Sequence, residues 1–152
     1  MRKSCDSNMR HLKKERIMEV LISVSDSISE AEVIDIYKAN KWSSADKQKE
    51  LLAALNNSHT LVTARVDGKL VGLGNAISDG YLVVYYPHML VHPDYQGKSI
   101  GRKMMEAMQA IYGDFHQQML TADANAVKFY QALGFKRAGK TEPMWIYNGK
   151  EH

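Results

Sequence analysis

Leu90-Val91-His92-Pro93-Asp94-Tyr95-Gln96-Gly97-Lys98-Ser99-Ile100-Gly101-Arg102 is the stretch on which the fold reading turns. Before it lies an apolar run over residues 81–91; after it Ile100, Met104, Met105, Met108, Ile111 and Tyr112 fall on one helical stripe. The hydrophobic period therefore changes from that of a strand to that of a helix across a polar loop, residues 92–101. Upstream the strands read as antiparallel. Residues 60–66 and 69–77 flank Asp67-Gly68, a dipeptide that tolerates the positive φ angles of a tight turn, and Asp79-Gly80 repeats the device. Further back, Val20-Leu21-Ile22-Ser23-Val24 is short, apolar and β-branched, the profile of a first strand. Ser29 and Glu32 have capping-box spacing ahead of Val33, Ile36 and Tyr37, which predicts a helix ending near Asn40. A second helix is expected from Ser44 through Leu51, Leu52 and Leu55 to Asn56.

Downstream of the loop and its helix, residues 118–121 read as a short strand and 125–133 as a helix stopped by Gly134, a residue suited to the left-handed position past a helix end. Residues 135–138 and 144–147 are expected as two final strands. The order βααβββαβαββ predicts an α/β fold, a mixed sheet with helices packed on it, in one domain over residues 17–152. Residues 1–16 are expected to be a basic leader: they hold six basic against two acidic side chains, while the rest of the chain holds 14 against 15. The net charge of +3 thus sits in the leader, and the body is nearly neutral. Such a leader can meet polyanions without specificity, so no specific nucleic acid is expected.

With 152 residues and 45% apolar content, the chain has the balance of a globular domain. No apolar run approaches the roughly 20 residues needed to cross a bilayer, so no membrane partner is expected. No apolar signal segment opens the chain, and Cys5 is its single cysteine; a cytoplasmic setting without an intrachain disulfide is the expectation. The histidines show no H-x-x-x-H spacing on a helix, since His88 and His92 fall at the end of an apolar strand run, and no metal is expected.

A loop that opens a helix carries amide groups without intrahelical partners at the positive end of the helix dipole, where an anion such as phosphate is favoured. Gly97 and Gly101 would let backbone approach such a ligand, and Lys98 and Arg102 add positive charge; an ordinary helix start with convenient glycines reads equally well from these residues alone. Gly97-Lys98-Ser99 also matches the end of a nucleotide-binding P-loop, but the first glycine of that motif would fall on His92, followed by Pro93. That reading fails.

Gln96-Gly97-Lys98-Ser99-Ile100-Gly101, preceded by Val-His-Pro, resembles the Q/R-x-x-G-x-G/A signature of the GNAT acetyltransferase superfamily. Asn125-Ala126-Val127-Lys128-Phe129-Tyr130-Gln131-Ala132-Leu133-Gly134-Phe135 resembles its second signature, N-x-x-x-x-F-Y-x-x-x-G-F. The likeness extends over residues 18–147 with one departure: Ser99 stands where the central glycine is usual. The resemblance implies acetyl-CoA in a cleft between two diverging central strands, residues 82–91 and 118–121. Leu90 and Val91 would pair with the pantetheine arm through their main chain. The amides of Gln96, Gly97, Lys98, Ser99, Ile100, Gly101 and Arg102 would hold the pyrophosphate, and Asn125 would anchor the arm from the other side. Pro87 fits independently, because a proline cannot donate to a central ladder and marks an edge or a bulge.

The implied reaction is direct acetyl transfer to a primary amine in a ternary complex. An alkylamine with a pKa of about 10.4 must lose a proton before it attacks. A strand amide such as that of Leu90 would steady the oxyanion, and Tyr130 is the family-matched acid for the departing thiolate. Phe129 and Tyr130 also read as core aromatics. His88 is a candidate base or simply a hydrogen-bonded sheet histidine, with Asp123 and Glu142 as weaker alternatives and a water chain as another. His92 is expected to shape the loop. The acceptor, a small-molecule amine, is expected to meet Trp42, Tyr85 and Met144, with Tyr81 as an addition; each also reads as plain packing. A homodimer through the final strands is a further expectation. Two rival functions stand beside the enzyme: a non-catalytic acyl-CoA-binding sensor, motivated by Ser99, and a nucleic-acid-associated module led by the basic leader.

Overall fold

A computed structural model describes residues 17–150 of the chain; the basic leader and Cys5 lie outside the described residues. Five strands form one sheet in the order β1 (Leu21–Ser23), β2 (Thr60–Val66), β3 (Lys69–Ser78), β4 (Val83–Val91) and β5 (Gln117–Met119). The first four are successively antiparallel and β5 runs parallel to β4, so the sheet is mixed as expected. The helices are α1 (Glu30–Ala39), α2 (Gln48–Asn56), α3 (Ile100–Tyr112) and α4 (Val127–Ala132). No helix among the described residues is long and apolar enough to cross a membrane.

Local chemistry explains the elements. Glu32 N donates to Ser29 Oγ at 3.4 Å and Ser29 N to Glu32 Oε2 at 2.7 Å, so the capping box that starts α1 is complete. Asp67 and Gly68 adopt φ of 48° and 80°, the paired left-handed conformation that closes the β2–β3 hairpin. The Asp79 turn is wider than a two-residue hairpin, because its Oδ1 accepts from the amides of Tyr81, Leu82 and Val83 and delays β4 to Val83. The second helix also starts late. Ser43–Asp46 form a 3₁₀ turn and Lys47, at ψ 63°, breaks the path before Gln48.

The sheet separates two apolar layers. Tyr37 with Val33 and Ile36 of α1, and Leu51 and Leu55 of α2, pack on Leu70, Leu73 and Leu90. On the other face Ile100, Met104, Met105, Met108 and Tyr112 of α3 pack on Val62, Ala64, Val71, Ala76, Val84 and Tyr86. Ile111, at the margin of that stripe, is exposed.

The two final strands are a correction. Among the described residues 135–138 and 144–147 make no ladder: Phe135 packs on the rings of Tyr86 and Tyr130, Met144 and Ile146 are 93% and 100% exposed, and Trp145 stacks on Tyr147 at 4.4 Å. Alternating apolar residues show which side chains could share a face, but a strand also needs an edge to pair with. The edge on offer, β5, is three residues long. The homodimer expected through those strands loses the elements it rested on.

Candidate active site

The site grows from a fault in β4. Its pairing with β3 runs Ile77↔Tyr85 and then Asn75↔His88, so Tyr86 and Pro87 stand against the single residue Ala76. This is a β-bulge, placed where Pro87 has no amide proton to give. It also reverses the alternation of faces: Val84 and Tyr86 lie in the α3 layer before it, and Met89 and Val91 after it. Asn75, 5% exposed, secures the bulge by accepting from His88 N with Oδ1 at 3.1 Å while its Nδ2 donates to Ser58 Oγ at 2.9 Å. On its other flank β4 pairs with β5 only from Val83↔Gln117 to Tyr85↔Met119. Tyr86 Oη donates to Gln118 Oε1 at 2.8 Å at the point where the two strands part. From Pro87 to Val91 the strand has a partner on the β3 side alone among the described residues.

A groove of about 530 Å³ lies there, walled by Met89 and Val91 of β4, the loop from Tyr95 to Ser99, the first turn of α3, and Ala126, Phe129, Tyr130, Ala132 and Leu133 of or beside α4. The loop is shaped by its own bonds. A 3₁₀ turn, Pro93–Tyr95, is begun by His92, whose Nδ1 accepts from Asp94 N at 3.2 Å; His92 shapes the loop as expected. Gly97 (φ 75°) and Ser99 (φ 63°) then turn left-handed, the alternation that makes successive amides converge into an anion-binding concavity. The first bond of α3 is Lys103 N to Ser99 O, at 3.1 Å. The amides from Gly97 to Arg102 donate to no group among the described residues.

Gln96 lines the groove and also makes bonds of its own. Its amide closes the 3₁₀ turn on Pro93 O at 3.4 Å, and its Nε2 donates to Val91 O at 3.0 Å. It therefore braces the loop against the strand end and occupies part of the Val91 carbonyl. Gly101 also has a second role: a Cβ there would sit 3.3 Å from Phe129 Cζ and 3.7 Å from Val91 Cγ2, so the bare Cα lets α3 and α4 close over the groove. Val91, Gly97, Ser99, Ile100, Gly101, Arg102 and Tyr130 all line the groove. Lys98 and Asn125 are exposed beside it, and Arg102 pairs with Glu106 at 3.1 Å on the surface. The Leu90 side chain faces away, into the α1–α2 layer.

Tyr130 is half-buried between the rings of Phe129 (4.9 Å) and Phe135 (5.8 Å). Burial first, and the Asp123 carboxylate second, hold its phenol protonated above the usual range. It stands ready to donate. Phe129, Met89 and Leu133 were not legible as site residues, since their apolar spacing reads as core; they line a groove because β5 stops short.

The remaining residues gather on the opposite face. Tyr37 Oη and His88 Nδ1 share a 2.7 Å hydrogen bond, and Trp42 lies edge-on at 5.2 Å from His88 and 5.7 Å from Tyr37. Tyr85, 41% exposed, is paired with the exposed Ile77 three residues before His88. Met144 is brought neither to this cluster nor to the groove, because the strand meant to deliver it is not formed. Glu142 pairs with Arg137 at 3.0 Å on the surface.

Comparison with known proteins places this geometry in a family. The family model described as an acetyltransferase (GNAT) domain matches residues 24–144. An uncharacterized N-acetyltransferase of Pyropia yezoensis is 25% identical over 138 residues, covering 88% of this chain and 75% of that protein. GCN5-related N-acetyltransferase 2, chloroplastic, of Arabidopsis thaliana is 36% identical over 70 residues, 45% of this chain and 27% of that protein. The chain thus spans 27% of that relative, and 37% of a similar Gracilaria tenuistipitata protein. Among solved structures, a GNAT family acetyltransferase from Streptococcus pneumoniae superposes with a TM-score of 0.74 at 24% identity, covering 86% of this chain and 99% of that one. An aminoglycoside N-acetyltransferase in complex with CoA superposes with a TM-score of 0.64 at 16% identity, covering 88% and 96%.

Proposed function

The chain belongs to the GNAT acetyltransferase family, and from that premise we propose that it transfers an acetyl group from acetyl-CoA to a primary amine by direct attack in a ternary complex. One observation carries the reading: the unspent amides of Gly97–Arg102 and the protonated phenol of Tyr130 face a single groove opened by the parting of β4 and β5. Acetyl-CoA supplies the thioester. The left-handed loop and the first turn of α3 hold its diphosphate, Met89, Phe129 and Leu133 give the arm apolar walls, and the β4 segment after the bulge offers main-chain groups to it. Tyr130 hands its proton to the departing sulfur. Because burial keeps the phenol protonated, the acid is present throughout the neutral range.

The acceptor approaches from the face of His88, Trp42 and Tyr85, where an aromatic wall meets the bulge. A small-molecule amine is the acceptor class in this reading. Acetyl-CoA-dependent thiol release over a panel of small amines tests it, with calorimetry of CoA binding alongside. Acceptor-dependent release supports transfer and excludes a CoA sensor; heat of binding without release over the panel favours the sensor; no binding at all overturns the groove assignment.

A further inference from the structure

We infer that the buried Tyr37 hydroxyl is a positioning group that fixes His88 in the tautomer carrying its proton on Nε2, so that His88 meets an acceptor as a hydrogen-bond donor and takes no proton from it. Tyr37 belongs to the packed face of α1 and is fully buried. Burial holds its phenol far above the usual range, so the O–H is a permanent donor. A buried donor must find an acceptor, and the acceptor recorded for this one is His88 Nδ1 at 2.7 Å. With Nδ1 accepting, the neutral imidazole carries its proton on Nε2. The opposite arrangement, Nδ1–H donating to the phenol oxygen, leaves the phenol proton stranded in the α1–α2 layer, a costly outcome.

The ring is held from several elements at once. Trp42 meets it edge-on at 5.2 Å and 79°, the Tyr37 ring at 5.5 Å and 61°, and Asn75 of β3 fixes its backbone at the bulge through the 3.1 Å bond from His88 N. Of these three neighbours, from α1, the turn before α2, and β3, Tyr37 alone titrates. A proton on Nε2 makes that nitrogen a donor, suited to an oxygen carried by the acceptor and not to the lone pair that its amine needs for attack. Loss of the amine's proton then falls to solvent, and His88 contributes orientation.

The inference deepens the acetyltransferase reading and rests on it for the identity of the acceptor, but the tautomer can be read without any substrate. Long-range ¹⁵N–¹H correlation spectra of the full chain, with His88 assigned by comparison with His88→Gln, report which ring nitrogen bears the proton. The expected wild-type result is a proton on Nε2 alone; in Tyr37→Phe the Nδ1 resonance moves and a population of the other tautomer appears. A proton on Nδ1 in the wild-type protein overturns the inference, as does a His88 signal that Tyr37→Phe leaves unchanged. Should Tyr37→Phe fail to fold, the wild-type spectrum decides alone. Absence of thiol release with the Nε2–H tautomer intact rejects the acetyltransferase reading and leaves the ring assignment standing.

Discussion

Ser99 is the place where this chain departs from the GNAT loop signature, and its backbone makes the departure measurable. The residue sits at φ 63°, ψ 16°, and its side chain makes no capping bond to α3. A left-handed conformation costs an L-residue roughly 1–2 kcal/mol through crowding of Cβ against the carbonyl, a cost glycine escapes. Against this, glycine enlarges the conformational freedom of the unfolded chain by about 0.4–1 kcal/mol. With no side-chain hydrogen bond to lose, Ser99→Gly should stabilise the fold by about 0.5–1 kcal/mol. Ser99→Ala keeps Cβ and should change stability little; Ser99→Val, β-branched at positive φ, should lose about 1 kcal/mol or more. Urea unfolding reads this directly. At a slope of about 2 kcal/mol per molar, the glycine variant should shift its midpoint upward by roughly 0.3–0.5 M at unchanged slope. Because Ser99 donates to the proposed diphosphate site through its amide, the glycine variant should also bind CoA at least as tightly as wild type. A glycine variant that is less stable than the alanine one would refute the strain argument, and a tenfold loss of CoA affinity in it would show that the hydroxyl binds the ligand.

Other expectations follow from the same geometry. Gly101→Ala brings a Cβ to 3.3 Å from Phe129 and should be nearly neutral in stability, whereas Gly101→Val must displace the ring and should cost about 1–3 kcal/mol together with most of the CoA affinity; equal behaviour of the two variants would contradict the packing role. Tyr130→Phe should lower kcat by roughly 10²-fold or more with little change in CoA affinity, and a pure KM effect would remove it as the acid. Arg65 bonds Asp26 at 2.6 Å and Glu32 at 2.7 Å, its side chain being 17% exposed. Hydrogen bonds from Arg65 depress the Glu32 carboxyl; at Asp26 burial pushes upward, and the bonds from Arg65 and Thr63 more than offset it. Groups depressed in the folded state stabilise it fully above their unfolded values near pH 4 and lose that contribution as pH falls through the folded ones. Arg65→Met should therefore cost about 2–3 kcal/mol at pH 7, and the gap to wild type should shrink below about pH 4; a gap independent of pH would show that the loss is one of packing.

Much of the fold was readable because its signals are local. The Ser29/Glu32 capping box, the Asp67-Gly68 turn and the methionine stripe of α3 each rest on contacts within a few residues, and each formed as expected. The loop from Gly97 to Arg102 was legible for the same reason, since left-handed turns and unspent helix amides are properties of a short segment. The end of the chain was not. Residues 144–147 alternate correctly for a strand, but pairing depends on an edge supplied from elsewhere, and Met144 lost its expected place at the acceptor side with it. Gln96 and Gly101 both line the groove, and the sequence did not show that one also braces Val91 and the other admits Phe129, partners five and 28 positions away.

By itself the amino-acid order determined the element types from β1 to α4, the loop that opens α3 and the family, because periodicity, caps and turn chemistry act over one or two turns of chain. Pro87 marked an edge or a bulge and the resemblance implied diverging strands, but only the tertiary structure decided for the bulge, set Tyr86-Pro87 against Ala76, ended the β5 pairing at Tyr85 and brought Tyr37 to His88 from 51 residues away. Those outcomes depend on which strand ends run out of partners and which buried hydroxyl finds an acceptor, and such matching exists only once distant segments have been brought together.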